Sequence, residues 1–167
     1  MIQRIQSLLL LLAAAVNCMV LVLPVWVVEN PGAGSAARLY GTKISLEGTA
    51  AQTIDPEITV GDDFLLLVHL IFVIFASGFL LFIIFSYGDR IKQMRLAYLA
   101  IVMICVQIVV AVILSNGLGS RINLSEASAG EFDVGFFAPI VAVLFAWLSA
   151  RRMKQDEDLV RSADRFR

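Results

Sequence analysis

The run FLLLVHLIFVIFASGFLLFIIFSYG, residues 64–88, decides the fold of this 167-residue chain. Its 25 residues include no Asp, Glu, Lys or Arg. An α-helix rises about 1.5 Å per residue, so about 20 apolar residues span a hydrocarbon core of roughly 30 Å. The run therefore predicts a helix that crosses a membrane.

Three more uncharged runs lie on either side of the first one, at residues 5–28, 96–120 and 134–150. Hydrophobic residues make up 59% of the chain and charged residues 16%, whereas soluble domains carry about a quarter charged residues. The run at 5–28 is longer than the apolar core of a signal peptide, which favours a retained span. We expect an all-α membrane protein, an antiparallel four-transmembrane-helix bundle.

The whole chain, residues 1–167, is predicted to form a single integral membrane domain. The short connection GDRIKQMR makes the second and third spans antiparallel neighbours. The predicted segments, in chain order, are TM1 6–28, outer loop 29–63, TM2 64–87, inner loop 88–95, TM3 96–116, outer loop 117–133, TM4 134–150 and a cytoplasmic helical tail 151–167.

Positive charge is concentrated at one end of this predicted bundle. Ten of the thirteen Lys and Arg residues lie in 1–4, 89–95 and 151–167, and the other three are Arg38, Lys43 and Arg121. Cytoplasmic loops carry an excess of Lys and Arg. The count predicts a multi-pass protein with both termini in the cytoplasm.

The first outer loop contains RLYGTKISLEG, residues 38–48, in which apolar residues alternate weakly. This pattern favours a short two-stranded element, although an isolated hairpin is marginal in water. A further strand around 122–124 would support it. We expect a small β cap from the outer loops, a claudin-like topology by analogy that carries no functional weight.

Few polar residues lie inside the predicted spans. Asn17, Ser77 and Gln107 each lie about 15 Å from the cytoplasmic end of a different span. We expect them to face the bundle interior and to form hydrogen bonds that fix the register of the helices. His69, the single histidine, is predicted to belong with these three to the intramembrane polar packing residues. It is either a proton-responsive group or, as we favour, an interfacial or core histidine bonded to the outer loop.

The fourth span has an alanine at every fourth position. Small residues at this spacing let another helix backbone approach closely. We expect this close helix packing inside the bundle, and the alternative is packing against a second copy in a homo-oligomer. The four alanines are Ala138, Ala142, Ala146 and Ala150.

The charged tail has an apolar stripe at helical spacing, formed by Leu159, Ala163 and Phe166. It is either a solvated anchor for the fourth span or a docking helix for a cytoplasmic partner. The predicted partner-binding residues of the tail are Glu157, Leu159, Arg161, Asp164, Arg165 and Phe166.

The sequence contains few residues that could take part in catalysis or bind a metal. Its lone histidine provides no metal-ligand cluster and no evident base for a nucleophile. We therefore expect no enzyme, no catalytic residue, no metal and no cofactor, and the net charge of −1 predicts no nucleic-acid partner. An enzyme would need a pocket that joins His69 to Asp62 or Asp63. Cys18 and Cys105 are expected to be buried packing residues.

Three segments resemble a known family: MIQRIQSLLLLLAA at 1–14, DVGFFAPIVAVLF at 133–145 and KQDEDLVRSADRFR at 154–167. The chain resembles a family of small four-span membrane proteins of diderm bacteria that is catalogued only as a domain of unknown function. Members often carry Asn-Arg where this chain has Ala150–Arg151. The resemblance implies a bacterial inner-membrane location and no activity.

These observations predict a non-enzymatic inner-membrane protein, a scaffold or accessory subunit. Its partners would be the lipid bilayer and a membrane protein of unknown identity, bound through the first outer loop and the cytoplasmic tail. The alternative is a small transporter or channel component with a polar site at the membrane midplane.

Overall fold

The computed structural model describes residues 3–30, 35–47, 59–86, 90–121 and 130–165. Within them the chain forms four α-helices and a four-stranded sheet. The helices are α1 (Gln3–Cys18), α2 (Thr59–Phe85), α3 (Arg90–Arg121) and α4 (Val134–Arg165), and a 3₁₀ turn, Met19–Leu21, extends α1. The strands are β1 (Pro24–Asn30), β2 (Ser35–Tyr40), β3 (Ile44–Glu47) and β4 (Glu131–Phe132).

The four helices pack as a ring in which α1 contacts α2 and α4, and α3 contacts the same two helices. Neighbours run in opposite directions. Ser149, at the middle of α4, donates a hydrogen bond to the carbonyl of Gln6, early in α1. We call the end of the bundle that holds Gln6 the tail end, and the end that contacts the sheet the sheet end.

On each helix one narrow stripe of buried residues faces the interior of the bundle, and we call this stripe the seam. In α3 eight buried residues are separated alternately by four and three positions: Gln93, Ala97, Ala100, Ile104, Gln107, Ala111, Leu114 and Leu118. The same alternation relates four buried residues of α1 and one of the 3₁₀ turn: Gln6, Leu10, Ala13, Asn17 and Val20. Ala14 and Ser115, each next to one of these positions, are buried as well. This heptad spacing is typical of helices that pack side by side along their whole length. Many small residues on these seams allow the backbones to lie close together.

The outward faces of the helices are also apolar. Phe75 on α2, Val109 on α3 and Leu144 on α4 are among the large apolar side chains that remain exposed. Among the described residues, three helical segments are long and apolar enough to cross a membrane: Phe64–Phe85, Ile91–Leu118 and Val134–Val160. The apolar part of the first helix, Ile5–Leu21, is shorter.

The predicted first span, 6–28, is wrong in its second half. The helix ends at Cys18, the 3₁₀ turn ends at Leu21, and the last residues of the predicted span lie in β1. Pro24 has no N–H to continue a helical ladder, and the valines and tryptophan that follow it favour a strand. Without a charge to interrupt them, an apolar helix and an apolar strand cannot be distinguished by hydrophobicity.

The expected small sheet is present, and it is larger than the sequence suggested. Its strand order is β3-β2-β1-β4, and every pairing is antiparallel. Three strands come from the connection between α1 and α2, and β4 comes from the connection between α3 and α4. The strand predicted at 122–124 lies outside the described residues.

The sheet packs directly on the helices. Trp26 and Leu39 cluster with Leu114 and Leu118 at the end of α3. The backbone N–H of Asp133 donates to the carbonyl of Val25 at 3.0 Å, and the Asp133 side chain accepts from the first N–H of α4 at 2.6 Å. Asp133 therefore gives a partner to one free N–H at the start of α4 and ties this helix to β1.

The fourth helix continues without a break from its first residue, Val134, through the predicted tail to Arg165, a length of about 48 Å. Pro139 lies near its beginning, where a missing N–H is tolerated. The two cysteines depart from expectation: Cys18 and Cys105 are exposed on the outer surface of the bundle, because both fall outside the heptad seams.

Candidate functional site

Three polar side chains meet in the middle of the bundle. The side-chain nitrogen Nδ2 of Asn17 lies 2.9 Å from the Ser77 hydroxyl oxygen, 3.3 Å from Gln107 Oε1 and 3.4 Å from the carbonyl oxygen of Val73. Asn17 comes from α1, Ser77 from α2 and Gln107 from α3. We call these three side chains the polar layer.

Asn17 is the centre of the polar layer. Its amide nitrogen carries two hydrogens and lies beside three acceptors on two other helices, so it links α1 to both of its partners. Asn17 and Gln107 are fully buried, and Ser77 is almost so. These bonds hold three helices at one relative height, because sliding any helix by a turn would separate the donors from the acceptors.

Two atoms of the polar layer have no partner among the described residues. They are Asn17 Oδ1, an acceptor, and Gln107 Nε2, a donor. Leaving a buried polar group unsatisfied costs about 1–3 kcal/mol. The layer therefore retains hydrogen-bonding capacity that its own side chains do not use.

Apolar residues close the layer on both sides. Toward the tail end lies a cluster that includes Ala13, Leu80 and Ile104, all fully buried. Toward the sheet end lies a second cluster that includes Val20, Val73 and Ala111. The polar layer is thus enclosed between two apolar clusters.

The structure does not bring His69 to the polar layer. Eight residues separate it from Ser77 on α2, about 12 Å along the helix axis. His69 is buried at the sheet end and forms a hydrogen bond with the backbone of Gly41 in the β2–β3 turn. Gly41 in turn donates its N–H to the carbonyl of Val20 at 3.1 Å. His69 therefore belongs to the contact between the sheet and the bundle.

The four alanines of α4 all face the interior. Ala142, Ala146 and Ala150 are fully buried, and Ala138 is nearly so. Ala142 and Ala146 share a cluster with Leu10 and Ala13 of α1. The alanine seam thus lies against a neighbouring helix of the same chain.

A second polar group at the tail end was not expected from the sequence. Gln6 Nε2 donates to the Asp156 carboxylate, and the Ser149 hydroxyl donates to the Gln6 carbonyl at 3.0 Å. Gln93 Nε2 donates to the carbonyl of Ile83 near the end of α2, also at 3.0 Å. The one available signal was spacing, since Ser149 and Asp156 are seven residues apart and Gln6 precedes the seam residue Leu10 by four.

Comparison with protein families matches residues 2–166 to a family described as Domain of unknown function (DUF4293). The chain belongs to this family. The resemblance seen in the sequence, to a family of unknown function that covers nearly the whole chain, is confirmed. No curated protein and no solved structure matches the chain, so the claudin-like arrangement remains an analogy of topology.

The tail of this DUF4293 chain is helical as far as Arg165. Leu159 is 65% exposed and Val160 46%, whereas Met153, one turn or more earlier, is buried in the bundle. Glu157 is partly buried. Arg161, Asp164 and Arg165 belong to the helix, but their side chains lie outside the described part of the chain, as does the whole of Phe166.

No group of three His, Cys, Asp or Glu residues in the described part of the chain is arranged to hold a metal ion. The enzyme alternative requires Asp62 or Asp63 beside His69. Both aspartates begin α2, but their side chains are not among those that the structure describes. The chemistry that the described side chains support best is hydrogen bonding between helices.

Proposed function

We propose that this DUF4293 chain is an integral protein of the bacterial inner membrane that crosses the bilayer four times and acts as a non-enzymatic scaffold or accessory subunit. Three spans would be the long apolar helices, and the fourth would be α1. The partners would be the surrounding lipid and a second membrane protein.

The outward face of α1 supports a fourth span. Ile5, Leu8, Leu11 and Met19 are all about half-exposed or more on the outside of the bundle. Such an apolar stripe would be unfavourable in water and is favourable against lipid. With its 3₁₀ extension, α1 has 19 residues from Gln3 to Leu21, or about 28 Å. Because Gln6 is bonded to Ser149 and Asp156 on either side of Arg151, about 22 Å of this length, residues 7–21, would lie inside the interface, and a locally thinner bilayer would accommodate it.

Charge and aromatic residues support an orientation with the tail end in the cytoplasm. Ten of the thirteen basic residues lie in the segments that meet at the tail end. The guanidinium of Arg151 lies 5.4 Å from the ring centre of Trp147, which is partly exposed. A tryptophan with an arginine one turn beyond it is typical of the membrane–water interface. Both ends of the chain would then face the cytoplasm.

One observation carries the scaffold role: α4 extends about 20 Å beyond Arg151 and presents exposed apolar side chains in a charged segment. With the interface at Arg151, as proposed, Leu159 and Val160 would lie about 12 Å beyond it, where lipid would not cover them. The start of the tail is fixed, because Asp156 is bonded to Gln6 and Met153 is buried. A helix held at its base with an apolar tip is suited to bind a partner.

The alternative role, a transporter or channel component, would need a hydrated cavity lined by the polar layer and His69. Direct hydrogen bonds join Asn17 to Ser77 and Gln107, and apolar clusters close the layer on both sides. This arrangement favours a structural role for the layer over a conducting one.

Site-specific photo-cross-linking in native membranes tests the scaffold role. A benzophenone amino acid would replace Leu159, and in a control it would replace Lys154, which is exposed on another face of the same helix. We expect a discrete protein adduct from position 159 and none from position 154. Val160→Glu should abolish the adduct, because a carboxylate would be placed in the apolar contact.

Two outcomes would contradict the scaffold role. Adducts with lipid alone at position 159 would make the tail a solvated anchor. The same protein adducts from positions 154 and 159 would indicate random collision rather than docking.

A further inference from the structure

We propose that the polar layer is a binding site for a single internal water molecule. This water accepts a hydrogen bond from Gln107 Nε2 and donates one to Asn17 Oδ1. It thereby joins α3 to α1 a second time, beside the direct contact between the two amides. The proposal goes beyond the scaffold role and does not depend on it.

The count of donors and acceptors leads to this site. Asn17 and Gln107 each carry an amide with an oxygen and an NH₂ group, and both residues are fully buried. The direct contact uses Asn17 Nδ2 and Gln107 Oε1, so the other atom of each amide is left over. One of the leftover atoms is a donor and the other is an acceptor, which is what a bridging water requires.

Rotating the two amide groups does not provide partners for the two leftover atoms. Rotation of both side chains by half a turn would exchange oxygen and nitrogen, and one oxygen and one NH₂ group would still lack a partner. It would also place Asn17 Oδ1 beside the carbonyl oxygen of Val73, where Nδ2 now lies at 3.4 Å. Two acceptors repel each other at that distance, so the described orientation is favoured.

The contact between the two amides limits how far apart the leftover atoms can lie. The two amides touch at 3.3 Å, and within each amide the oxygen and nitrogen are about 2.2 Å apart. The leftover atoms can therefore be at most about 8 Å apart, and a water with bonds of about 2.8 Å bridges atoms up to about 5.6 Å apart. The site requires the two atoms to lie in the shorter part of this range. Buried waters in proteins typically bind to polar groups that are otherwise unsatisfied.

The surroundings exclude larger or charged ligands. The polar layer contains no ionisable side chain, so an ion would have no counter-charge. Direct contact of 2.9 Å between Asn17 and Ser77 leaves no gap for a larger molecule between α1 and α2. Val20 and Val73 on one side, and Ala13 and Ile104 on the other, close the route to either end. A small neutral molecule with both a donor and an acceptor remains, and water is that molecule.

The test is water-edited solid-state NMR on the full chain, labelled with ¹⁵N and reconstituted in lipid bilayers. We expect magnetisation to pass from water to the Gln107 side-chain NH₂ group. The backbone amides of Leu80 and Ile104, which lie in the apolar cluster next to the layer, should receive none at the same mixing time. The side-chain NH₂ group of Gln93, near the tail end, donates to a carbonyl and gives a second glutamine side-chain signal against which the Gln107 signal can be assigned.

The unmodified protein decides the outcome, so no variant has to fold. An assigned Gln107 NH₂ signal that receives no water magnetisation, with water transfer seen elsewhere in the same sample, would overturn the proposal. Equal transfer to Leu80 and Ile104 would also overturn it, since that result means an open hydrated interior. In Asn17→Leu, where the acceptor is removed, transfer to Gln107 should fall severalfold, and an unchanged transfer would count against the bridge.

Discussion

The two halves of the bundle are closed in different ways. In the tail half, four continuous helices meet through small and branched apolar side chains, among them Leu10, Ala13, Ala142 and Ala146. In the sheet half, α1 ends and the chain turns into β1, so backbone groups are released from the helix and need new partners. The carbonyl of Val20 accepts from Gly41, and that of Val25 accepts from Asp133.

The difference shows what a helix end requires in an apolar protein. Where helices continue, every backbone group is satisfied within its own helix and packing alone closes the interior. Where a helix ends, unsatisfied carbonyls and N–H groups are costly, and other segments must come close enough to bond them. Glycines allow this approach: a Cβ at Gly135 would lie 2.5 Å from the carbonyl oxygen of Pro24. The polar layer lies at the boundary between the tail half and the sheet half.

The largest effect is expected at the backbone contacts of the sheet half. In Gly41→Ala the new Cβ would lie 2.7 Å from the Val20 carbonyl oxygen, so the turn must move and its hydrogen bond is strained or lost. We expect a loss of about 3 kcal/mol in the free energy of unfolding, measured by titration with a denaturing detergent. Gly78→Ala is the control, because nothing lies within 4 Å of its Cβ, and it should be neutral or stabilise α2 by up to about 1 kcal/mol. Equal losses in the free energy of unfolding for Gly41→Ala and Gly78→Ala would contradict the special role of the backbone contacts in the sheet half.

Overpacking the tail half should have the next largest effect. Ala13→Leu adds three carbon atoms to a fully buried seam position and should lower the free energy of unfolding by about 2 kcal/mol. Ala15→Leu, two residues along the same helix but exposed, should be nearly neutral. The same detergent titration compares the two. A tolerated leucine at position 13 would mean that α1 is not closely packed.

The polar layer should contribute less than either half. Asn17→Leu removes the hydrogen bonds that the amide nitrogen donates to its three acceptors and leaves Gln107 without its partner. We therefore expect a loss of about 1 kcal/mol in the free energy of unfolding. Ser77→Ala removes one of the three bonds and should have a smaller effect. The quantity to measure is again the free energy of unfolding. A more stable Asn17→Leu protein would show that the layer is not a net source of stability.

The smallest effect is expected on the surface of the sheet. Arg38 and Glu29 form an ion pair at 3.6 Å, in which the Arg38 side chain is 36% exposed and that of Glu29 62%. Glu29→Gln should change the free energy of unfolding by less than about 0.5 kcal/mol, and raised salt should reduce even that. Thermal unfolding at low and high salt provides the measurement. A loss of more than 1 kcal/mol at high salt would require a role for Glu29 beyond this pair.

The sequence predicted the parts of the fold that depend on local pattern. Uncharged runs of helical length identified α2, α3 and the first half of α4, and counting residues from the charged ends placed Asn17, Ser77 and Gln107 at one depth. The β1 strand was missed because residues 24–28 are as apolar as the helix before them. Tertiary pairing with β2 decides their conformation.

The tail-end polar group could not be predicted for a different reason. Gln6 and Asp156 are 150 residues apart in the sequence, and no local pattern relates them. Only the antiparallel packing of α1 on α4 brings them together. His69, predicted together with Asn17, Ser77 and Gln107 as an intramembrane polar packing residue, lies instead at the sheet end, and its contact with Gly41 depends on the β2–β3 turn reaching the end of α1.

The most direct test of the central proposal, four crossings with the basic end inside the cell, is cysteine labelling with a membrane-impermeant maleimide on intact spheroplasts. Cys18 and Cys105 would first be replaced by alanine, and single cysteines would be introduced by Gln3→Cys, Lys43→Cys and Lys154→Cys. We predict that position 43 is labelled in intact cells and that positions 3 and 154 are labelled only after lysis. Labelling of position 3 together with position 43 would show that α1 does not cross the membrane and would contradict the proposal.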